Sequence, residues 1–121
     1  MEKSTILVCD DETGIRDALK LILENDYHLF YARHGKDAVD QVKAHSPDLV
    51  IMDVKMPYLN GLEALPKIKR ARPRVRILMI TGYESSDVAA EAINRGADDY
   101  LTKPFTREKV KEKVQALLQY P

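Results

Sequence analysis

Short continuous apolar runs alternate along the chain with segments whose apolar residues recur at helical spacing. Thr5–Cys9 is such a run, as expected for a parallel strand covered on both faces. Ile15, Ala18, Leu19, Ile22 and Leu23 then fall at i, i+3, i+4, i+7 and i+8, which predicts a helix. Residues 28–32 read as a second strand. Gly35 opens a short helix carrying Ala38, Val39 and Val42, which stops before Ser46-Pro47 because the residue preceding proline resists the α region. A third strand is expected over Asp48–Met52, followed by the turn-rich stretch Tyr58-Leu59-Asn60-Gly61. From about Leu62 a helix turns Leu65 and Ile68 inward. Pro66 lies deep enough in it to predict a lost hydrogen bond and a kink. Val75–Ile80 reads as the fourth strand, Ser85–Arg95 as a helix ending on a left-handed Gly96, and Asp98–Leu101 as a short fifth strand. Thr106 can cap a last helix that places Val110, Val114, Leu117 and Leu118 on one face. Five strands alternating with five helices predict a single α/β domain over residues 1–121, with a parallel sheet and right-handed crossovers.

Composition narrows the class without naming it. The 121 residues are 45% hydrophobic and 31% charged, ordinary for a globular domain. Nineteen basic side chains balance nineteen acidic ones. No global field therefore draws the chain to nucleic acid, and no direct contact with it is expected. A local basic run, Lys67 to Arg76, reads first as a solvated helix C-terminus where cations complement the dipole. The single cysteine, Cys9, excludes an internal disulfide framework and lies inside an apolar strand, so a buried, inert thiol is expected. With no membrane-length apolar stretch and no signal peptide, the expected location is the cytoplasm.

The chemistry gathers at strand ends. Asp10-Asp11-Glu12 follows the first strand, Asp53 the third, Thr81 the fourth and Lys103-Pro104 the fifth. In an open parallel sheet those ends converge on one rim, where ligands bind. One aspartate at a strand end is more often a cap or turn former, but the joint pattern is harder to explain that way. Two carboxylates about 4 Å apart repel by roughly 4 kcal/mol at an effective dielectric of 20, so clustered Asp10, Asp11 and Asp53 would raise one another's pKa or, more naturally, recruit a divalent cation. All-oxygen ligands favour Mg²⁺, for which Mn²⁺ can substitute. His28, His34 and His45 are scattered over a strand, the approach to a helix and a helix end, which argues against zinc. A carboxylate beside a metal can act as a nucleophile toward phosphorus. Lys103 and the Thr81 hydroxyl would then serve phosphoryl oxygens, helped by backbone N–H groups after Asp53.

At these residues the chain resembles the receiver domains of two-component response regulators. The likeness rests on Asp10-Asp11, Asp53-Val54-Lys55-Met56-Pro57-Tyr58-Leu59-Asn60-Gly61, Thr81-Gly82 and Tyr100-Leu101-Thr102-Lys103-Pro104-Phe105, and covers essentially the whole length. The resemblance implies a flavodoxin-like (βα)5 fold with sheet order 2-1-3-4-5 and helices on both faces. It implies that Asp53 is the phosphoacceptor, supplied by a histidine kinase or histidine phosphotransfer protein. Asp11, Asp53 and the Lys55 carbonyl would hold Mg²⁺, with Asp10 helping through water. A cis peptide would precede Pro104. On phosphorylation Thr81 would move toward the phosphoryl group and Tyr100 would rotate inward, reshaping the surface of the fourth helix, fifth strand and fifth helix. Such a domain promotes its own phosphorylation and dephosphorylation and is not a turnover enzyme.

Partner docking is expected at Ile15 and Ala18 on the first helix together with Pro104 and Phe105; completion of the core is an equal reading for Ile15 and Phe105. Gly82 replaces the family's commoner alanine. Lys55 and Tyr83, two positions after Asp53 and Thr81, are large and expected to flank the path of attacking water, giving slow self-hydrolysis. Gly14-Ile15-Arg16 and Thr81-Gly82-Tyr83 are similar to receivers of sporulation phosphorelays and of enhancer-binding activators. A pattern that stops at the fifth helix favours a stand-alone signalling or phosphorelay protein, the alternative being the excised receiver of a longer transcription activator. A monomer is expected, with a phosphorylation-linked dimer through the fourth-helix face as the variation. An aspartate-nucleophile phosphatase is a weaker rival, since it would show D-x-D where this chain has Asp10-Asp11-Glu12. A flavin carrier would need a Ser/Thr/Gly-rich loop after the first strand.

Overall fold

The computed structural model describes residues 3–55, 59–82 and 86–119. Strands β1 (Thr5–Cys9), β2 (His28–Ala32), β3 (Leu49–Asp53), β4 (Arg76–Thr81) and β5 (Asp99–Thr102) alternate with helices α1 (Thr13–Leu23), α2 (Gly35–His45), α3 (Gly61–Ala71), α4 (Ser86–Asn94) and α5 (Arg107–Gln119). The strands form one sheet of order β2-β1-β3-β4-β5, and every neighbouring pair is parallel. This is the expected flavodoxin-like architecture.

Alternation along the strands sorts the core into two layers. Leu7, Val50, Met52, Ile77 and Met79 point to the side where α2, α3 and α4 contribute Val42, Leu65, Ile68 and Ala92. Ile6, Val8, Ile51, Leu78 and Ile80 point to the other side, against Leu19 and Leu23 of α1 and Val110 and Val114 of α5. Continuous apolar runs were therefore needed at β1, β3 and β4, which are covered on both faces.

Element ends follow local chemistry. His34 Nδ1 accepts from the Asp37 N–H, Asn60 Oδ1 from Glu63 and Thr106 Oγ1 from Lys109, capping α2, α3 and α5; each cap contributes about 1 kcal/mol. α2 stops before Pro47 as expected, with Ser46 turned into the left-handed region (φ 47°). Gly96 has the expected positive φ, 116°. β3, β4 and β5 each begin and end one residue later than the apolar pattern suggested. The pattern marks burial, whereas strand pairing continues onto the polar Asp53, Thr81 and Thr102; at the other end, the buried Val75 spends its N–H on a turn to the Arg72 carbonyl.

Two features correct the sequence reading at the N-terminal rim of the sheet. The basic run is not simply solvated: Lys69 Nζ donates to the Val75 carbonyl and to Asp98, Arg72 Nε to the Pro47 carbonyl, and Arg76 pairs with Asp98 at 3.5 Å. Asp98, which sequence alone would leave as a plain surface acid, also accepts from the Ile77 N–H at 2.8 Å. It clasps the start of β4 to the approach to β5. Asp99 likewise pairs with Lys113 of α5.

α3 runs unbroken through Pro66. The missing N–H deprives the Leu62 carbonyl of its i+4 donor, and Arg95, just beyond α4, supplies its guanidinium Nη1 instead at 3.2 Å. Pro66→Ala should raise stability by about 1–3 kcal/mol in urea unfolding. Arg95→Ala should then cost roughly 0.5–1 kcal/mol less in the Pro66→Ala background than in the parent, because the restored N–H serves the same oxygen.

Candidate functional site

Parallel register brings the chemical residues together. Cys9 pairs with Met52, so Asp10 follows level with Asp53, and Thr81 pairs with Thr102, so Lys103 emerges one step beyond. Carboxylate oxygens of Asp10, Asp11, Glu12 and Asp53 lie within 4.8 Å of one another. Lys103 Nζ sits between them, 3.2 Å from Asp10 Oδ2 and 3.3 Å from Asp53 Oδ2, with Glu12 at 3.8 Å. Asp10, Asp53 and Thr81 are only 2%, 5% and 2% exposed, whereas Asp11 and Glu12 face solvent.

Backbone geometry fixes the acids. Asp10 Oδ1 accepts from the Glu12 N–H at 2.9 Å, and Arg16 donates to the Asp10 carbonyl, tying the β1–α1 turn to the helix. Asp53 Oδ1 accepts weakly from the Lys55 N–H at 3.4 Å. Gly61 packs directly beneath: a Cβ there would collide with the Asp53 carbonyl oxygen, so the start of α3 can approach the strand end only as glycine. The Thr81 carbonyl accepts from the Lys103 N–H at 2.8 Å, and the Lys103–Pro104 peptide is cis, as expected. A Cβ on Gly82 would meet nothing within 4 Å, so the space an alanine would use there is open.

Electrostatics at the rim are adverse to the acids. Burial raises the Asp53 pKa, repulsion from Asp10 adds to it, and Lys103 pulls it back only in part. Burial raises Asp10 as well, opposed by the Glu12 N–H and by Lys103. For Lys103 burial is the largest influence and disfavours its charge, but attraction to Asp53 and Asp10 outweighs it and holds the pKa above the ordinary lysine value. The Cys9 thiol is pushed up by burial and then by Asp10 and Asp37, which keeps it protonated, the expected inert state.

Other predicted positions divide. Ile15 and Phe105 pack on the α1–α5 side of the core while keeping part of their surface in solvent. Ala18 is half-buried and Pro104 exposed. Tyr100 is 40% exposed on β5. Tyr83 and the Met56-Pro57-Tyr58 part of the Asp53 motif lie outside the described residues. Glu12 is the member of the acidic group that sequence reasoning assigned no role; its place in the Asp10-Asp11-Glu12 run was the available signal.

Known proteins share the family and the fold of this chain. The response regulator receiver domain family matches residues 6–115, and the chain belongs to that family. It is 36% identical over 115 residues to the response regulator MprA of Mycolicibacterium vanbaalenii, covering 94% of this chain and 50% of that protein. The chain thus spans about half the length of the curated relatives it matches. Among solved structures it is similar to the response regulator domain of Thermotoga maritima CheB (TM-score 0.90, 29% identity, 99% of both chains). It is also similar to a CheY-like receiver from Methanospirillum hungatei JF-1 (TM-score 0.92, 32% identity, 98% of this chain and 95% of that one). NtrX from Brucella abortus is matched over 27% of its length at 31% identity.

A carboxyl whose folded pKa is raised binds its proton more tightly in the native state, so it costs stability progressively as pH rises through and above the ordinary carboxylate range. Asp10→Asn should therefore raise the melting temperature at pH 7 by about 4 °C per kcal/mol recovered. That gain should vanish below about pH 4, where the wild-type acid is already neutral; calorimetry across pH checks both.

Proposed function

We propose that this receiver accepts a phosphoryl group on Asp53 from a phosphohistidine of a histidine kinase or phosphotransfer protein, in a Mg²⁺-dependent reaction. The observation that carries the reading is the convergence of Asp10, Asp53 and Lys103 from three strand ends onto contacts of 3.2–3.3 Å. The donor set suits the cation: four oxygen acids within 4.8 Å, two of them held uncomfortably ionised, leave excess negative charge that one lysine does not balance. Asp11, Asp53 and the Lys55 carbonyl would hold Mg²⁺, with Asp10 acting through water; when bound, it would neutralise the carboxylates and polarise phosphoryl oxygens.

An Asp53 carboxylate oxygen attacks phosphorus, and the new O–P bond forms as the donor's P–N bond breaks. Lys103 releases its hold on Asp53 to meet one phosphoryl oxygen, and the Thr81 hydroxyl meets another. Backbone N–H groups after Asp53 serve the third. The strand ends bring these groups within short reach of the phosphoryl position, so catalysis lies in position and electrostatics. Movement of Thr81 and inward rotation of the exposed Tyr100 would then reshape the α4–β5–α5 surface. A cytoplasmic protein that transfers or hydrolyses its own phosphoryl group, without turning over other substrates, fits this role. The twofold length of the MprA relatives favours, as a second reading, a receiver working within a longer regulator.

Incubation with a small phosphodonor and Mg²⁺ should add one base-labile phosphate, seen by intact mass. Asp53→Asn should remove it, and Lys103→Ala should slow it on the order of 10²-fold; phosphate persisting in Asp53→Asn would sink the acceptor assignment. Slow self-hydrolysis is expected from the bulk of Lys55 and Tyr83. Lys55→Ala with Tyr83→Ala should shorten the acyl-phosphate lifetime roughly tenfold, equivalent to ~1.4 kcal/mol in the barrier, while an unchanged lifetime refutes shielding.

A further inference from the structure

We propose that the groove between α2 and α3 is a second docking surface, one that takes an acidic segment of a partner protein with apolar side chains between its acids. Two adjoining hollows of about 300 and 380 Å³ share Val39 and Lys67 and so form one continuous groove. Its walls carry Lys36 and Lys43 from α2 and Lys67 and Arg70 from α3, against a single acid, Asp40. Val39 and Leu59 form an apolar floor, packed on the core below and partly open to solvent.

The charge here differs in kind from the other basic cluster of the molecule. Around the larger hollow at the N-terminal rim, Lys69, Arg72 and Arg76 are engaged by Asp98, Asp48 and main-chain carbonyls. The side chains of Lys36, Lys43, Lys67 and Arg70 have no hydrogen bond or ion pair among the described residues. In a chain of zero net charge, four cations facing one acid along a groove leave a local excess of three positive charges that an acidic partner would neutralise.

Their spacing selects the ligand. Lys36 and Lys43 stand two helical turns apart, about 10 Å, so the cations form a track and do not converge on a point as they would around one free phosphate. Among the described residues, the groove lining contains no aromatic ring on which a base could stack. An anionic membrane is better met by apolar groups that protrude than by a recessed floor. An acidic peptide with an aliphatic side chain between its carboxylates satisfies both walls and floor. The floor is also pre-organised. The Gly35 N–H donates to the Leu59 carbonyl at 3.1 Å, and a Cβ on Gly35 would collide with that oxygen, so the start of α2 is locked onto the segment carrying Leu59. Because α2 and α3 cover the face opposite α1 and α5, a partner here would leave Ile15 and Phe105 accessible.

The test is anisotropy with a labelled synthetic peptide of Glu-Leu-Ala-Glu repeats, beside oligo-dT and phosphatidylserine vesicles, with backbone amide shifts mapping the contact. The expected result is peptide binding that weakens with added salt and shifts amides of α2 and α3. Lys43→Glu with Lys67→Glu should weaken it at least ~10-fold with the melting curve unchanged. Asp53→Asn should bind like the parent, since the groove needs no phosphoryl group. Absence of peptide binding, equal affinity in the charge-reversed protein, shifts confined to α1 and α5, or tighter binding of oligo-dT or vesicles would each overturn the proposal.

Discussion

Forced proximity of like charges at the C-terminal rim is the constraint on which this structure turns. Asp10 and Asp53 are buried side by side, although two such carboxylates repel by about 3 kcal/mol at 5 Å and an effective dielectric of 20. Left to themselves they would separate or take up protons. They remain together because backbone pairing of β1 with β3 sets them level, and because Lys103 bridges them from β5. The rim therefore stores unfavourable electrostatic energy of the kind a divalent cation would relieve. A site of this kind is destabilising in isolation and useful for the same reason.

Holding that rim together is the task of the remainder of the domain. The two core layers clamp β1, β3 and β4 from both sides, so their ends cannot drift apart without opening buried apolar surface. At the far rim Asp98 gathers Lys69, Arg76 and the Ile77 N–H, fixing the register of β4 against the approach to β5. Arg95 fills the hydrogen-bond gap left by Pro66 and links the end of α4 to α3. The end of α4 and the approach to β5 are thus moored at the rim away from the site.

Zero net charge conceals strong segregation. Acids concentrate at the C-terminal rim, paired cations brace the N-terminal rim, and cations without a side-chain partner among the described residues line the α2–α3 groove. Each arrangement uses charge differently: the first gathers oxygen donors of the kind a divalent cation takes, the second satisfies main-chain carbonyls, and the third is left open to solvent. Global composition excluded a general nucleic-acid field but could not show this division, because it sums over surfaces that face different ways.

Local physics made much of this protein legible from its sequence. Continuous apolar runs gave the strands, helical periodicity the helices, Thr106 and Gly96 their ends, and the polar residues after each run the candidate site. These signals are short-range, and a parallel α/β chain leaves few ways to connect them. The tertiary structure alone decided what depends on residues distant in sequence. Lys103 meets Asp10 across 93 positions, Asp98 proved to be a clasp, part of the basic run became a brace, and Arg95 found the carbonyl that Pro66 had orphaned. A charged side chain carries no periodic signature of its partner: its hydrophobicity predicts solvent, and only the path of the backbone determines which opposite charge or unsatisfied carbonyl lies within reach.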